Sequence, residues 1–182
     1  MAKTLEACHR HGVLAGAHPS FPDREGFGRR PQSLPPAELA SSLRVQLALF
    51  AGVAAKAGVA PHHVKAHGAL YHAANRDRSI ARILLAVTRD VLGPVRILAP
   101  PGGAQAVEAG DALLREGFAD RRYGPRGALV ARGEARALLH AGEAAAQARR
   151  IATRFDTLCV HGDRDDAIEV ASAVRVALGP RR

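Results

Sequence analysis

A parallel β/α architecture is the expectation, and three observations carry it. Short apolar runs alternate with helical stripes in βα order from Val13 to the C-terminus. The runs are apolar on both sides of the two-residue period, as strands covered on both faces are. Four of the five runs end in a histidine or aspartate, at the strand ends where parallel β/α folds bind ligands.

Taken in order, residues from about Lys3 to Arg10 are predicted to form a helix closed by Gly12, and Val13 to Ala17 a first buried strand. Pro35 and Pro36 open a helix with Leu39, Leu43, Leu47, Phe50 and Ala54 on one face, and Gly58 ends it. His62 to Ala66 reads as a second strand. Asp77 is placed to cap a helix with Ile80, Leu84, Val87 and Val91 on one stripe. Val95 to Ala99 is a third strand, stopped by Pro100, Pro101, Gly102 and Gly103. A helix through Val107 and Leu113 leads to a short strand at Gly117 to Ala119. The Ala-rich segment from Glu134 to Arg154 is predicted to be helical with a break near Gly142, and Thr157 to Val160 to be the fifth strand. Asp163 is placed to cap the last helix, with Asp165 and Asp166 in its first turn, where the helix dipole favours carboxylates. No repeat or low-complexity linker interrupts this alternation, so residues 1–182 read as a single domain.

Hydrophobic residues make up 47% and charged residues 24%, an ordinary globular balance. Aromatics are only 4% and Trp is absent, so Ala, Leu and Val must fill the core. The net charge of +9 rests on arginine, since Lys3, Lys56 and Lys65 are the only lysines. The arginines are scattered rather than gathered in one block, which argues against nucleic acid and fits carboxylate or phosphate ligands. Cys8 and Cys159 give neither a disulfide framework nor zinc spacing. Cys159, inside an apolar run, reads as a small core residue, and Cys8-His9-Arg10-His11 as an exposed helix end. No apolar leader segment opens the chain, and the longest near-apolar run, Val45 to Ala55, is too short to span a bilayer. A cytoplasmic location without a membrane partner is expected.

The strand ends collect the chemistry. The first run ends in His18, and a loop stiffened by Pro and Gly then delivers Arg29 and Arg30. The second reads His63-Val64-Lys65-Ala66-His67, and the strand period puts His63, Lys65 and His67 on one face. A lysine in a buried strand is costly unless paired or functional. Beside cations it would give up its proton readily and act as a base or nucleophile; beside Asp120 it would stay charged and bind an anion. The fourth run ends in Asp120-Arg121-Arg122-Tyr123 and the fifth in His161-Gly162-Asp163. The two arginine pairs supply guanidinium forks for carboxylate or phosphate. Gly26, Gly28, Gly68 and Gly162 suit close backbone approach to a ligand, while neither a phosphate-binding P-loop nor a dinucleotide fingerprint occurs.

Four stretches resemble the LamB/YcsF family: GAHPSFPDREGFGRR at 16–30, HVKAHGALYH at 63–72, FADRRY at 118–123 with GALVAR at 127–132, and LCVHGD at 158–163. They occur in the family's order and cover essentially the whole chain, and Arg44-Val45-Gln46-Leu47-Ala48-Leu49 matches its Gln-containing helix. The resemblance implies a deacetylase-like β/α barrel, TIM-like but of about seven strands. It implies a cytoplasmic enzyme that opens the lactam of 5-oxo-L-proline to L-glutamate, with ATP as co-substrate and 5-oxoprolinase subunits B and C as partners. It also implies functional residues at His18, Lys65, His67, Asp120 and His161. Of these, Lys65, His67, Asp120 and His161 are the candidate catalytic residues. The candidate substrate-binding residues are His18, Arg29, Arg30, Tyr71, Arg121, Arg122, Arg132 and Asp163. No metal ligand is assigned, and a divalent metal is left open. A lactam is a poor electrophile, so phosphorylating its oxygen would supply a leaving group. That step needs cationic clamps such as Arg29, Arg30, Arg121 or Arg122, and Asp120 or a histidine to position water.

The chain departs from the family pattern at Ala66, where the motif has Pro, and at His72, where it has Asn. The family's opening strand, Asp-Leu-Asn-Cys-Asp-Leu-Gly-Glu, and its second, Cys-Gly-Phe-His-Ala-Gly-Asp-Pro, are absent. Met1 to Leu5 resembles the helix that follows them. The expectation is an N-terminally truncated barrel of five βα units that self-associates, because open sheet edges must pair or be covered. Two other readings are carried with it. One is a metal-dependent amide hydrolase with histidine ligands, although the acidic ligand expected on the first strand is missing. The other is a catalytically inactive scaffold that binds partners or ligand.

Overall fold

The computed structural model describes residues 1–125 and 127–179. The chain packs as two compact units, Met1–Leu114 and Arg115–Arg182.

The first unit runs α1 (Ala2–Arg10), β1 (Gly16–Ala17), α2 (Pro36–Lys56), β2 (His63–Val64), α3 (Gly68–Arg76), α4 (Arg78–Leu92), β3 (Arg96–Ala99) and α5 (Ala104–Ala109). Its strands pair side by side and parallel, Gly16 beside His63 and His63 beside Arg96. Helix α2 buries Leu39, Leu43, Leu47, Phe50 and Ala54, the stripe expected from sequence, and packs against α4. By length and composition alone α2 is long and apolar enough to cross a membrane; here that stripe is spent on the core. Asp77 caps α4, its carboxylate accepting the backbone N–H groups of Ser79 at 2.7 Å and Ile80 at 3.3 Å, a contact worth about 1 kcal/mol. On α4 the buried stripe is Ala81, Leu84, Leu85, Val87 and Thr88, with Ile80 and Val91 half-buried at its flanks.

Three expectations fail in this unit. Val13 and Leu14 are 57% and 61% exposed rather than buried in a strand. Among the described residues β1 is the edge strand, with β2 alone beside it, so the run ahead of it has nothing to cover it. Helix α3 is an addition to the expected elements; it buries Ala69, Leu70, Tyr71 and Ala74 directly after the second strand. The expected helix through Leu113 stops at Ala109. Gly110 takes φ +51, a left-handed backbone that ends the helix, and after a 3-10 turn Leu113 begins a strand.

The second unit contains β4 (Leu113–Phe118, whose first two residues belong to the first unit), α6 (Ala141–Ile151), β5 (Thr157–Cys159) and α7 (Ala167–Leu178). β4 and β5 are parallel, with Phe118 beside Cys159. Helices α6 and α7 pack through Ala144, Ala148, Val170 and Val174 onto Ala119 and Leu139, small side chains that let the elements approach closely. Buried Gln147 ties α6 to the end of β4: its amide nitrogen lies 2.8 Å from the Phe118 carbonyl, 3.2 Å from that of Ala119 and 2.7 Å from that of Arg121.

Three more expectations fail here. Residues 134–140 are not helical; Leu138 bridges Arg121 in antiparallel fashion and the Leu139 N–H donates to the Asp120 carbonyl at 2.9 Å. These tertiary bonds outweigh the helix propensity of an Ala-rich run, and Gly142 falls in the first turn of α6 instead of breaking a helix. Asp163 does not cap α7, which starts at Ala167 behind Asp166; its carboxylate accepts from Arg132 instead. Cys159 is half-buried, as is the whole of the short β5, rather than a core residue. The β1–β2, β2–β3 and β4–β5 pairs are all parallel and helices follow the strands, so the fold class is the parallel β/α one read from the sequence.

Candidate functional site

In the first unit the ends of β1 and β2 bring His18 and His67 together. Their rings stand edge to face, centroids 4.8 Å apart, with His67 Nδ1 3.0 Å from His18 Nε2. His18 Nδ1 lies 2.7 Å from the Lys65 carbonyl oxygen, and His67 Nε2 lies 2.7 Å from that of Phe27. Lys65 is half-buried, as are His63 and His67, while Val64 and Ala66 between them are buried, which is the alternation expected of this strand. The Lys65 ammonium nitrogen sits 5.9 Å from the centre of the buried Tyr71 ring. Burial, then the neighbouring His62 and Lys65, push the His63 imidazole below its ordinary pKa.

The loop from Pro19 to Arg30 is clamped over these strand ends. The Gln46 side chain on α2 holds Ser20 at both backbone groups, accepting its N–H at 3.0 Å and donating to its carbonyl at 2.9 Å. The buried Asp23 carboxylate accepts the backbone N–H groups of Gly26 at 2.9 Å and Arg30 at 3.1 Å. Burial alone would raise the Asp23 pKa; those N–H donors and the Arg30 charge outweigh it and hold the carboxyl below its ordinary value. The Gly28 carbonyl then accepts the Ala69 N–H at 2.9 Å, and Phe27 is left with φ +54, unusual for a residue with a side chain. A cavity of about 660 Å³, within the size range of small-molecule sites, is lined by His18, Ser20, Arg24, Phe27, Gln46 and His67. Arg29 lies over the Phe27 ring at 4.9 Å, and Arg30 turns to Asp23 at 3.8 Å and Glu25 at 3.7 Å.

In the second unit the ends of β4 and β5 hold Asp120 and His161. Asp120 is fully buried; one oxygen lies 3.0 Å from His161 Nδ1 and the other accepts the His161 backbone N–H at 2.8 Å. Burial pushes the Asp120 pKa up, but the His161 bonds and the charge of Arg164, whose Nη1 is 3.8 Å away, bring it below the ordinary carboxylate value. Arg164 is itself held by Asp166, which raises its pKa and lowers that of Asp166. With Nδ1 committed to Asp120, His161 presents Nε2 as a proton acceptor, and the ring stacks on Phe118 at 5.9 Å.

The arginines predicted to grip ligand in this unit each donate to protein groups. Arg121 donates to the Val130 carbonyl at 2.7 Å, Arg122 to the Arg136 carbonyl at 2.8 Å and to Glu143 at 2.7 Å, and Arg132 to both oxygens of Asp163 at 3.1 Å. Among the described residues no group of three or more His, Cys, Asp or Glu is arranged to hold a metal ion. Both ring nitrogens of His18 and of His67 are already engaged in hydrogen bonds.

The profile of the LamB/YcsF family matches residues 1–181. The chain belongs to the LamB/YcsF family. A relative from Methylococcus capsulatus, named as the A subunit of 5-oxoprolinase, is 42% identical, the match covering 100% of this chain and 76% of the relative. One of the same name from Bordetella pertussis is 38% identical, covering 98% and 78%. The crystal structure of a lactam utilization protein from Thermus thermophilus is similar with a TM-score of 0.87 at 34% identity, covering 97% of this chain and 78% of that one.

Three structurally engaged side chains of this LamB/YcsF chain, Asp23, Gln147 and Arg164, are not among the residues that its sequence singles out. Asp23 carries a local signal, an Asp followed three residues later by Gly, as in turns where the side chain accepts a backbone N–H. Gln147 and Arg164 carry none, since their partners lie on other elements or are set by the turn into α7.

Proposed function

We propose that this LamB/YcsF chain is the A subunit of a cytoplasmic, ATP-dependent 5-oxoprolinase that opens 5-oxo-L-proline to L-glutamate together with subunits B and C. The observation that carries the reading is the Asp120–His161 pair, in a chain whose relatives bear that name. His161 Nε2 takes a proton from the water that attacks the ring carbonyl, and Asp120 fixes the tautomer and stabilises the imidazolium that forms. ATP phosphorylates the lactam oxygen and departs as ADP, which makes the ring carbon electrophilic. Once water has added, the ring C–N bond breaks to free the amine, and hydrolysis of the resulting acyl phosphate releases glutamate and inorganic phosphate. No glycine-rich phosphate loop occurs in the chain; within the first unit, Lys65 and Arg29 are cations of the kind that fit a carboxylate or phosphate oxygen. A divalent ion would accompany the ATP phosphates.

The test is reconstitution with subunits B and C and measurement of 5-oxoproline-dependent ATP hydrolysis and glutamate release. His161→Ala, Lys65→Ala and His67→Ala should each lower glutamate formation by roughly 100-fold or more. Full turnover in all three variants would sink the assignment. One observation favours a second reading, in which the chain binds but does not catalyse. The guanidinium groups of Arg121, Arg122 and Arg132 spend N–H bonds within the protein. Binding of 5-oxoproline without turnover in the complete complex would select it.

A further inference from the structure

Two neutral rings cannot satisfy all three hydrogen-bond contacts that exposed His18 and half-buried His67 make. A neutral imidazole has one N–H and one bare nitrogen. His18 Nδ1 faces the Lys65 carbonyl and His67 Nε2 faces the Phe27 carbonyl, each at 2.7 Å. A carbonyl oxygen only accepts, so both of those nitrogens carry hydrogen. In two neutral rings the bare nitrogens are then His18 Nε2 and His67 Nδ1, which lie 3.0 Å apart with their lone pairs opposed. Two extra protons would instead set two N–H groups against each other. One extra proton satisfies these three contacts, giving three protons on four nitrogens and an N–H···N bond in the middle.

We propose that His18 and His67 share one proton as a single cation, and that this cation is a positioning device that latches the 19–30 loop onto the ends of β1 and β2. The latch reaches the loop through the His67 Nε2–H to Phe27 carbonyl bond, the point at which Phe27 holds its φ of +54. It also gives the wall of the 660 Å³ cavity a fixed positive charge. The inference goes beyond the 5-oxoprolinase reading and stands without it.

The adjacent His62–His63 contact shows what is particular here. Its Nδ1 atoms lie 3.2 Å apart, but no carbonyl fixes either ring's other nitrogen among the described residues. One donor and one acceptor then suffice, and that pair needs no added charge. Around His18 and His67 the charged groups are Lys65 on the same strand segment and Asp23, Arg24 and Arg29 on the loop. Helix α3 brings Tyr71 and His72, and the face of α2 at the cavity brings the uncharged Ser42 and Gln46. Asp23 favours the cation and Lys65, Arg24 and Arg29 oppose it. The two arginines are exposed and so screened, whereas the N–H···N contact is direct.

Because the seated loop binds one extra proton, seating is strongest where the pair holds a single added proton. It is lost as pH rises and that proton leaves, and it weakens again as pH falls and a second proton sets two N–H groups against each other. The test uses the full chain labelled with 15N-histidine, followed by long-range proton–nitrogen correlation from about pH 5 to 9. At about pH 8, where ordinary histidines are almost entirely neutral, three of the four His18 and His67 nitrogens should carry hydrogen. Trypsin cleavage after Arg24 and Arg29, normalised to a small peptide substrate, should accelerate roughly tenfold as the shared proton leaves, since bonds to charged groups are the stronger class. His18→Ala should be cut at the faster rate throughout with no step in pH. His18→Gln, whose amide N–H can donate to His67 Nδ1, should restore protection without the step. Two protonated nitrogens at that pH, one on each ring, overturn the proposal. So does a step in pH that survives in His18→Gln.

Discussion

The Asp120 carboxylate grips His161 at two points, one oxygen 3.0 Å from the ring Nδ1 and the other 2.8 Å from the backbone nitrogen. The second contact fixes the chain direction at the end of β5, and the first fixes the tautomer. A ring so held has its acceptor nitrogen aimed away from the carboxylate. Orientation and basicity are therefore set by one buried group.

Asp120→Asn should separate the two. Asparagine can still accept the His161 backbone N–H, but its NH2 then faces Nδ1 and favours the tautomer protonated at Nε2, which removes the acceptor. Glutamate formation by the complex with subunits B and C should fall roughly 10²–10⁴-fold at saturating substrate, with KM little changed. An Asp120→Asn complex with wild-type turnover would show that His161 does not act as the base.

The same residue sets part of the acid limit of stability. Asp120 is buried, which opposes ionisation, yet the His161 bonds and Arg164 hold its pKa below the ordinary 3.8. A carboxyl lowered in the folded state stabilises the protein above its unfolded pKa, and that stability is lost as pH falls through the lowered value. Thermal unfolding should therefore shift to lower temperature as pH drops below about 4. Asp120→Asn should show a flatter acid limb than wild type. It will not be flat, because Asp23, Glu143 and Asp166 are also held low. Parallel acid limbs in the two proteins would refute the assignment.

The parts legible in the sequence are those whose partners lie close in the chain or follow a strict period. The Leu39–Ala54 stripe, the Asp77 cap and the strand-end positions of His18, His67, Asp120 and His161 are of this kind. What sequence could not show is which polar groups spend their bonds on each other. Arg121 and Arg122 have the look of ligand forks, but they serve Val130, Arg136 and Glu143, 9 to 21 residues away. Ala-rich 134–140 has helix propensity, and a bridge to Arg121 overrides it. Val13 and Leu14 look like strand core, but hydrophobicity cannot tell whether a neighbour is present to cover them.

Gln147 shows how much a bond with no signal in the sequence can carry. One buried amide nitrogen serves the carbonyls of Phe118, Ala119 and Arg121, on both sides of Asp120. Gln147→Leu keeps the volume and removes the donor, leaving those carbonyls short of a partner. The expected cost is roughly 1–3 kcal/mol, read from the denaturant midpoint. Because the amide borders the Asp120 segment, turnover should fall along with stability. A variant as stable as wild type would mean that water replaces the amide.

A close backbone approach in the first unit gives the most direct test of the loop's seating. Gly68 has φ +55, and a Cβ built on it would sit 2.4 Å from the Gly28 carbonyl oxygen, the atom that accepts the Ala69 N–H. Backbone cannot move aside as a side-chain tip can. Gly68→Ala therefore combines a left-handed strain with displacement of the loop, and should destabilise by roughly 1–3 kcal/mol. Gly52 is the control: it lies inside α2, and a Cβ added there meets nothing within 4 Å. Gly52→Ala should stabilise by about 0.5–1 kcal/mol, because alanine is the better helix former. The two substitutions add the same methyl group and should move the unfolding midpoint in opposite directions. Equal shifts would mean that the loop does not rest on Gly68.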